Sequence, residues 1–291
     1  MTAAIEVAVL GGSGFYEMPG LEISDELAID TPFGAPSDAI RIGTLDGVRV
    51  AFLARHGRVH SLLPSEIPQR ANFWALKSLG VRRVLGVSAV GSLRDDYAPA
   101  EMVTPDQLID RTRGSRASTF FGEGVVAHVS LADPFCPQLR ASAMVAARAA
   151  GAVAHQDGSY VVIEGPAFGT RAESELYRSW GASIVGMTAL PEAKLAREAE
   201  LCYAILASVT DYDAWHLAEA GVEATTVFEV LRHNVEVSRN AIRHLVRNLP
   251  EGACACGTTL DAALVTPPAA IDASARHRLA PILKRRLGVA P

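Results

Sequence analysis

The chain has 291 residues, 49% apolar and 20% charged, with 27 basic against 32 acidic side chains and a formal charge of −5. That length suits one large α/β domain, and the acidic balance argues against nucleic acid or an anionic membrane surface, which reward a basic face. No run of eighteen apolar residues suggests a membrane span, and Met1-Thr2-Ala3-Ala4-Ile5-Glu6 lacks the basic start of a signal peptide.

The first predicted element is a strand over Ile5 to Leu10, rich in β-branched residues and stopped by Gly11-Gly12-Ser13-Gly14. Further strands are predicted at Val48 to Leu53, Val84 to Val87, Tyr160 to Ile163, Ser183 to Gly186 and Cys202 to Val209. Helices are predicted at Ala71 to Leu79, Leu139 to Ala150 and Ala172 to Trp180, each closed by a glycine (Gly80, Gly151, Gly181), and at Pro191 to Cys202, with proline in the first turn. Asp110 to Val126, polar and glycine-containing, reads as an exposed loop. From about Pro250 the pattern weakens into Gly, Pro and Ala, with a last basic helix around Ile282 to Leu287. Strands alternating with helices imply a mostly parallel or mixed sheet covered on both faces, and no linker divides residues 1–291. The four cysteines, Cys136, Cys202, Cys254 and Cys256, are too few and too scattered for a disulfide scaffold. Cys254-Ala-Cys256 lacks the second pair expected of a zinc site, so no metal is expected, and free thiols point to the cytoplasm.

Three strand ends carry groups suited to an anion. Gly11-Gly12-Ser13-Gly14 lets backbone N–H groups and a hydroxyl approach a ligand, although a structural turn accounts for it equally. Arg55-His56-Gly57-Arg58-Val59-His60 follows the Val48 to Leu53 strand at the edge where open α/β sheets bind ligands. Its arginines offer the bidentate fork that suits phosphate; a solvated basic loop is the rival account. Ser88-Ala89-Val90-Gly91-Ser92 ends a third strand with small residues and hydroxyls. At a fourth strand end, Thr210-Asp211-Tyr212-Asp213 sets two carboxylates at alternate positions, facing the same way on an extended segment. Buried together, they keep one acid protonated near neutral pH, as departure of a purine at N7 requires; exposed loop aspartates have the same spacing. Phe168, after Glu164-Gly165-Pro166-Ala167, could stack on a purine or lie in the core.

These segments occur in order with D-T-P-F-G, A-N-F-W-A-L, P-D-Q-L-I-D-R-T, D-P-F-C-P and M-T-A-L-P-E-A-K-L-A-R-E. Together, over roughly residues 7 to 245, the chain resembles the 5′-methylthioadenosine phosphorylase branch of the trimeric purine nucleoside phosphorylase family. The resemblance implies a mixed, distorted barrel-like β-sheet flanked by helices, assembled as a homotrimer. It implies that Ser13, Arg55, His56, Ser88, Ala89 and Thr188 hold phosphate, a co-substrate, with no cofactor. It places Met187 under the ribose, Phe168 and Thr210 beside the base, and His60, Ala224 and Val227 around the 5′ group. Asp211 would serve N7 and Asp213 the 6-amino group.

Gly169 stands where 6-oxopurine enzymes of that superfamily carry glutamate, which favours adenine. Ala167 stands where relatives often carry arginine, which puts that turn's salt bridges in doubt, and Ala224 stands where some carry a larger valine, which leaves the 5′ substituent open between methylthio, a halogen and hydrogen. The expected reaction is phosphorolysis of a 5′-modified 5′-deoxyadenosine. The rivals are a broader purine nucleoside phosphorylase, a nucleosidase using water and a purine-binding regulator without catalysis.

Overall fold

The computed structural model describes residues 5–114, 116–216 and 224–288, with the side chains of 224–229 outside the description. Eleven strands form one mixed sheet among these residues. Four parallel strands make its centre: β4 (Val48–Ala54), β1 (Val7–Gly11), β5 (Arg83–Ser92) and β11 (Cys202–Tyr212). Alternation sorts their side chains between two cores. In β11, Tyr203, Ile205, Ala207 and Val209 join one core, while Cys202, Ala204 and Leu206 join the other.

Helices close both faces. The first core packs against α1 (Gln69–Ser78) and α4 (Ala189–Glu198), through residues such as Phe73, Leu76 and Leu195. The second packs against α2 (Pro137–Ala149) and α5 (Ala224–Arg247), through Leu139, Ala143, Ile242 and Leu245. Helix α3 (Arg171–Ser179) starts with a capping box between Thr170 and Glu173. Gly80, Gly151 and Gly181 follow α1, α2 and α3 with φ of 84°, 86° and 77°, the left-handed stop expected of them.

Strand β5 is the branch point that makes the sheet barrel-like. One edge runs along β11 from Arg83 to Ser92. The other edge pairs with β1 over Arg83 to Gly86 and then with β10 (Ile184–Gly186) at Gly91 and Ser92. Between those pairings β1 and β10 splay apart, and Val87 to Val90 lose their neighbour on that edge. The site opens in this gap.

Several elements differ from expectation. β5 runs on through Ser88 to Ser92, and α4 ends at Glu198 because the chain must turn before β11 begins at Cys202. The longest helix, α5, is absent from the sequence prediction: its Thr and Val content lowers helix propensity, and packing on α2 and β11 overrides this. The segment expected as an exposed loop, Asp110 to Val126, begins in strand β7 (Gln107–Arg111), and Arg116, Phe120, Phe121 and Val125 are buried. The tail past 250 includes α6 (Ala273–Arg278) and α7 (Ala280–Leu287), and α7 contains the predicted basic helix. The scattered cysteines converge, with all four sulfurs within 4.8 Å of one another.

Candidate active site

A cavity of 420 Å³ opens at the carboxyl ends of β1, β4, β5 and β11. Twelve of the fourteen expected site residues line it. The other two, Ala224 and Val227, have side chains outside the described residues. One wall is made by Ser13, Arg55, His56, Ser88, Ala89 and Thr188. Phe168, Met187, Thr210, Asp211 and Asp213 line the rest, with His60 near the mouth.

The glycine turn is required by close approach. A Cβ on Gly11 would lie 2.1 Å from Phe15 O, and one on Gly12 would lie 2.4 Å from Val87 O. Behind this turn Arg55 is fully buried. Its Nε donates to Glu192 Oε1 at 2.5 Å, its Nη2 to Glu192 Oε2 at 3.1 Å and its Nη1 to Val87 O at 2.8 Å. Three of its five N–H groups are therefore committed, and Glu192 largely neutralises its charge. Glu192 also accepts from Gln69 Nε2 and from Tyr203 OH. Nothing in PEAKLARE marks this glutamate as different from a solvent-facing helix residue.

Hydroxyls continue the wall. Ser88 Oγ lies 3.2 Å from both Thr188 Oγ1 and the buried Tyr160 OH. Thr188 is the N-cap of α4 but does not cap it with its side chain, and its hydroxyl points to Ser88. Leu190 breaks the helical geometry just after it (φ −118°, ψ 135°), so Thr188 contributes its hydroxyl to the cavity and no regular helix N-terminus. The His56 Nδ1 lies 2.8 Å from Leu62 O, which can only accept, so the ring carries its proton there. Burial lowers the His56 ring to about 4, helped by the charges of Arg55 and His60. The neutral ring thus keeps Nε2 as an acceptor, suited to the O–H of a protonated oxyanion. His60 stacks on His56 at 4.4 Å between centroids, accepts or donates with Tyr16 OH at 2.8 Å and holds φ at 53°.

The rest of the lining carries the acids. A register shift between Val209 and Asp211 interrupts the pairing of β11 with β5, which resumes with Asp211 opposite Gly91. The Thr210 hydroxyl lies 2.6 Å from Asp211 Oδ2. A Cβ on Gly91 would sit 3.2 Å from both Asp211 Oδ1 and Asp213 Cβ, so the pair's position depends on this glycine. Burial raises the Asp213 carboxyl above its usual range against the opposing pull of Ser174 and the Ala214 backbone, with the Glu173 charge adding to the rise. Asp213 Oδ2 is buried with no partner among the described residues.

At the mouth, Phe168 is 84% exposed, so it lies at the rim and outside the core. Met187 is set by Arg116, a residue the sequence reading left in its exposed loop. Arg116 Nη1 donates to Met187 O at 2.6 Å and to Leu190 O at 2.8 Å, while Nε pairs with Glu164 at 2.8 Å. This buried clamp joins the loop after β9 (Ser159–Ile163) to the start of α4. Gly169 does not line the cavity, and a Cβ there would meet only Glu173, at 3.9 Å. Neither packing nor backbone conformation demands a glycine at this position.

A cavity lined by hydroxyls, a neutral histidine and two carboxylates is matched by a family. The model of the phosphorylase superfamily matches residues 6–247. The chain belongs to the phosphorylase superfamily.

Relatives within the superfamily are similar along nearly their whole length. The S-methyl-5′-thioadenosine phosphorylase of Chloroflexus aurantiacus is 56% identical over 280 residues, 96% of this chain and 97% of that protein. That of Geobacter sulfurreducens is 52% identical over 94% of this chain and 96% of its own. Among solved structures, a methylthioadenosine phosphorylase from an antarctic soil metagenomic library superimposes with a TM-score of 0.91 at 48% identity, covering 96% of this chain and 99% of that one. An adenosine/methylthioadenosine phosphorylase mutant from Schistosoma mansoni, in complex with methylthioadenosine, does so at 0.80 and 36%, covering 86% and 93%.

Proposed function

We propose that this phosphorylase cleaves 5′-methylthioadenosine with inorganic phosphate, yielding adenine and 5-methylthioribose 1-phosphate. The observation that carries the reading is a single cavity of 420 Å³ lined by both the anion donors and the Asp211–Asp213 pair. Phosphate sits against Ser13, Ser88, Thr188 and Arg55, and gives an O–H to His56 Nε2. It faces C1′ from below as the glycosidic bond stretches, and its charge stabilises the oxocarbenium-like ribosyl group. The electrons of the breaking C1′–N9 bond pass into the purine, and Asp211 delivers a proton to N7 as the base leaves. Asp213 holds the 6-amino group. Burial raises its carboxyl above the usual range, so it meets the 6-amino group as a group that gains from the purine's hydrogen bond. Met187 lies beneath the ribose, Phe168 covers the base, and His60 with Ala224 and Val227 faces the 5′ substituent. The relatives named for methylthioadenosine support that substituent over a halogen.

The enzyme needs no cofactor for this reaction, works as a homotrimer in the cytoplasm and uses neither nucleic acid nor a membrane as partner. The resemblance to the trimeric branch supports the homotrimer, the acidic balance argues against nucleic acid, and no helix among the described residues is long and apolar enough to cross a membrane. The test is adenine release from methylthioadenosine, a 5′-halo-5′-deoxyadenosine, adenosine and inosine, with and without phosphate. Phosphate-dependent release, fastest from methylthioadenosine and absent from inosine, is expected. Equal release without phosphate would identify a nucleosidase instead.

A further inference from the structure

At the end of β11 opposite the active site lies a second cluster of reactive side chains that the phosphorolysis does not use. Cys202 opens the strand and Asp211 lies near its far end, nine residues on, so the two are roughly 30 Å apart at about 3.3 Å per residue. Beside Cys202 stands Cys136, whose backbone N–H donates to Tyr203 O at 2.7 Å. Cys254 and Cys256 arrive from the C-terminal tail, flanking the start of a short 3₁₀ segment, Ala255–Asp261. We propose that Cys136, Cys202, Cys254 and Cys256 form a tetrahedral thiolate site for a divalent zinc-class cation. The expectation from sequence, which weighed Cys254 and Cys256 without the two distant partners, is of no metal.

Geometry carries the assignment. Four sulfurs around zinc at about 2.3 Å lie about 3.8 Å from one another. Here Cys136 and Cys254 are 3.6 Å apart, and all four sulfurs lie within 4.8 Å of one another. Two disulfides would need only two short separations, whereas the fold brings every sulfur near every other. Four sulfurs in this arrangement, with no oxygen or nitrogen ligand among them, select zinc or iron over harder cations.

The surroundings suit thiolates. Cys136 is the N-cap of the 13-residue α2, where its sulfur accepts the Leu139 N–H at 3.5 Å and feels the positive end of the helix. Arg197 Nη1 donates to Cys256 Sγ at 3.7 Å. A cleft of 240 Å³ beside Cys202 and Cys254 is lined by Lys77, Arg82, Arg83 and Arg285 against the single carboxylate of Glu200. Four thiolates around a dication leave two negative charges, which this basic rim offsets. The protons the thiols give up go to solvent through the same cleft, at which Cys254 is half-buried while the other three sulfurs are buried. The bound ion would fasten the tail to the base of β11 and the start of α2.

The metal content of the full chain, purified without chelator from medium containing zinc, tests this directly. One zinc per chain is expected, and Co²⁺ exchanged into the site should give the intense thiolate charge-transfer bands of a tetrahedral S₄ centre. The Cys254→Ser/Cys256→Ser double variant should lose the metal, melt several degrees lower and keep kcat for nucleoside cleavage. A non-reducing intact mass short by four hydrogens would overturn the proposal in favour of two disulfides. So would four alkylatable thiols and no metal after incubation with Zn²⁺, or a double variant that retains the metal. If the double variant fails to fold, the zinc content and cobalt spectrum of the unaltered chain still decide. The metal content, the cobalt spectrum and the intact mass do not depend on the nucleoside assignment.

Discussion

Around the phosphate donors the side chains are tied to one another before a ligand arrives, whereas beside the base one buried acceptor has no partner among the described residues. Arg55 is locked to Glu192 and Val87, and Ser88 links Thr188 with Tyr160. The acceptor beside the base is an oxygen of Asp213, and Phe168 stands in the open. The phosphate wall therefore spends its folding energy on shape and little net charge. The base wall holds a carboxyl that burial makes reluctant to ionise, and that reluctance is released only when a purine supplies partners.

The largest effect should come from emptying the base wall. Asp211→Ala is expected to lower kcat by about 10²- to 10⁴-fold, the scale of a lost general acid, with the melting transition preserved. Near-normal kcat in a steady-state adenine-release assay would remove Asp211 from the role of acid and break the contrast between the walls.

Emptying the phosphate wall should instead be felt as stability. Glu192→Gln leaves the fully buried Arg55 charge without its carboxylate, and breaking a buried pair costs about 3–5 kcal/mol. Urea unfolding should report that loss together with a raised KM for phosphate. If stability is unchanged, Arg55 must hold its charge by other means and the wall is less rigid than described. A smaller effect tests the seam between the walls. Gly91→Ala puts a methyl 3.2 Å from Asp211 Oδ1 and 3.3 Å from Val185 Cγ1, and the displaced acids should lower kcat by roughly ten- to a hundredfold. Unchanged kcat would show that the pair adjusts freely.

The difference between the walls also governs what could be read from sequence. Residues whose chemistry is local were legible: a glycine turn after a strand, an Arg-His pair after another, two aspartates at alternate positions. The central strands and the first three helices were legible for the same reason, since period and stop signals are local. Glu192, Arg116 and Gly91 were not, because each matters through a partner far along the chain. Glu192 and Arg55 are 137 positions apart, and Arg116 and Met187 are 71 apart. A charged residue on a helix or in a polar loop looks solvated until the fold removes its water. The cysteines are the extreme case, since two of the four sulfurs belong to segments with no pattern in common with the tail.

The smallest effect is a pH dependence confined to one histidine. His56 has its proton affinity lowered in the fold, from 6.5 to about 4, so the unfolded chain takes up a proton there before the folded one does. Its contribution is complete above about pH 6.5 and is lost as pH falls toward 4, by at most roughly 1.4 kcal/mol per unit. Glu198 works in the opposite sense over much of the same window. Burial raises its carboxyl from 4.5 to about 7, so the folded state holds that proton longer and stability declines as pH rises between those values. The two slopes largely cancel in the parent enzyme, and its melting temperature alone would reveal little of either. His56→Gln removes one of them. Measured without phosphate, the variant should gain on the parent steadily as pH falls from 6.5 to 4.5, because only the parent still carries the His56 penalty. Parallel curves would mean that His56 takes up its proton in the fold as readily as in the unfolded chain, and that below about pH 6.5 phosphate meets a cation where the structure offers a neutral acceptor.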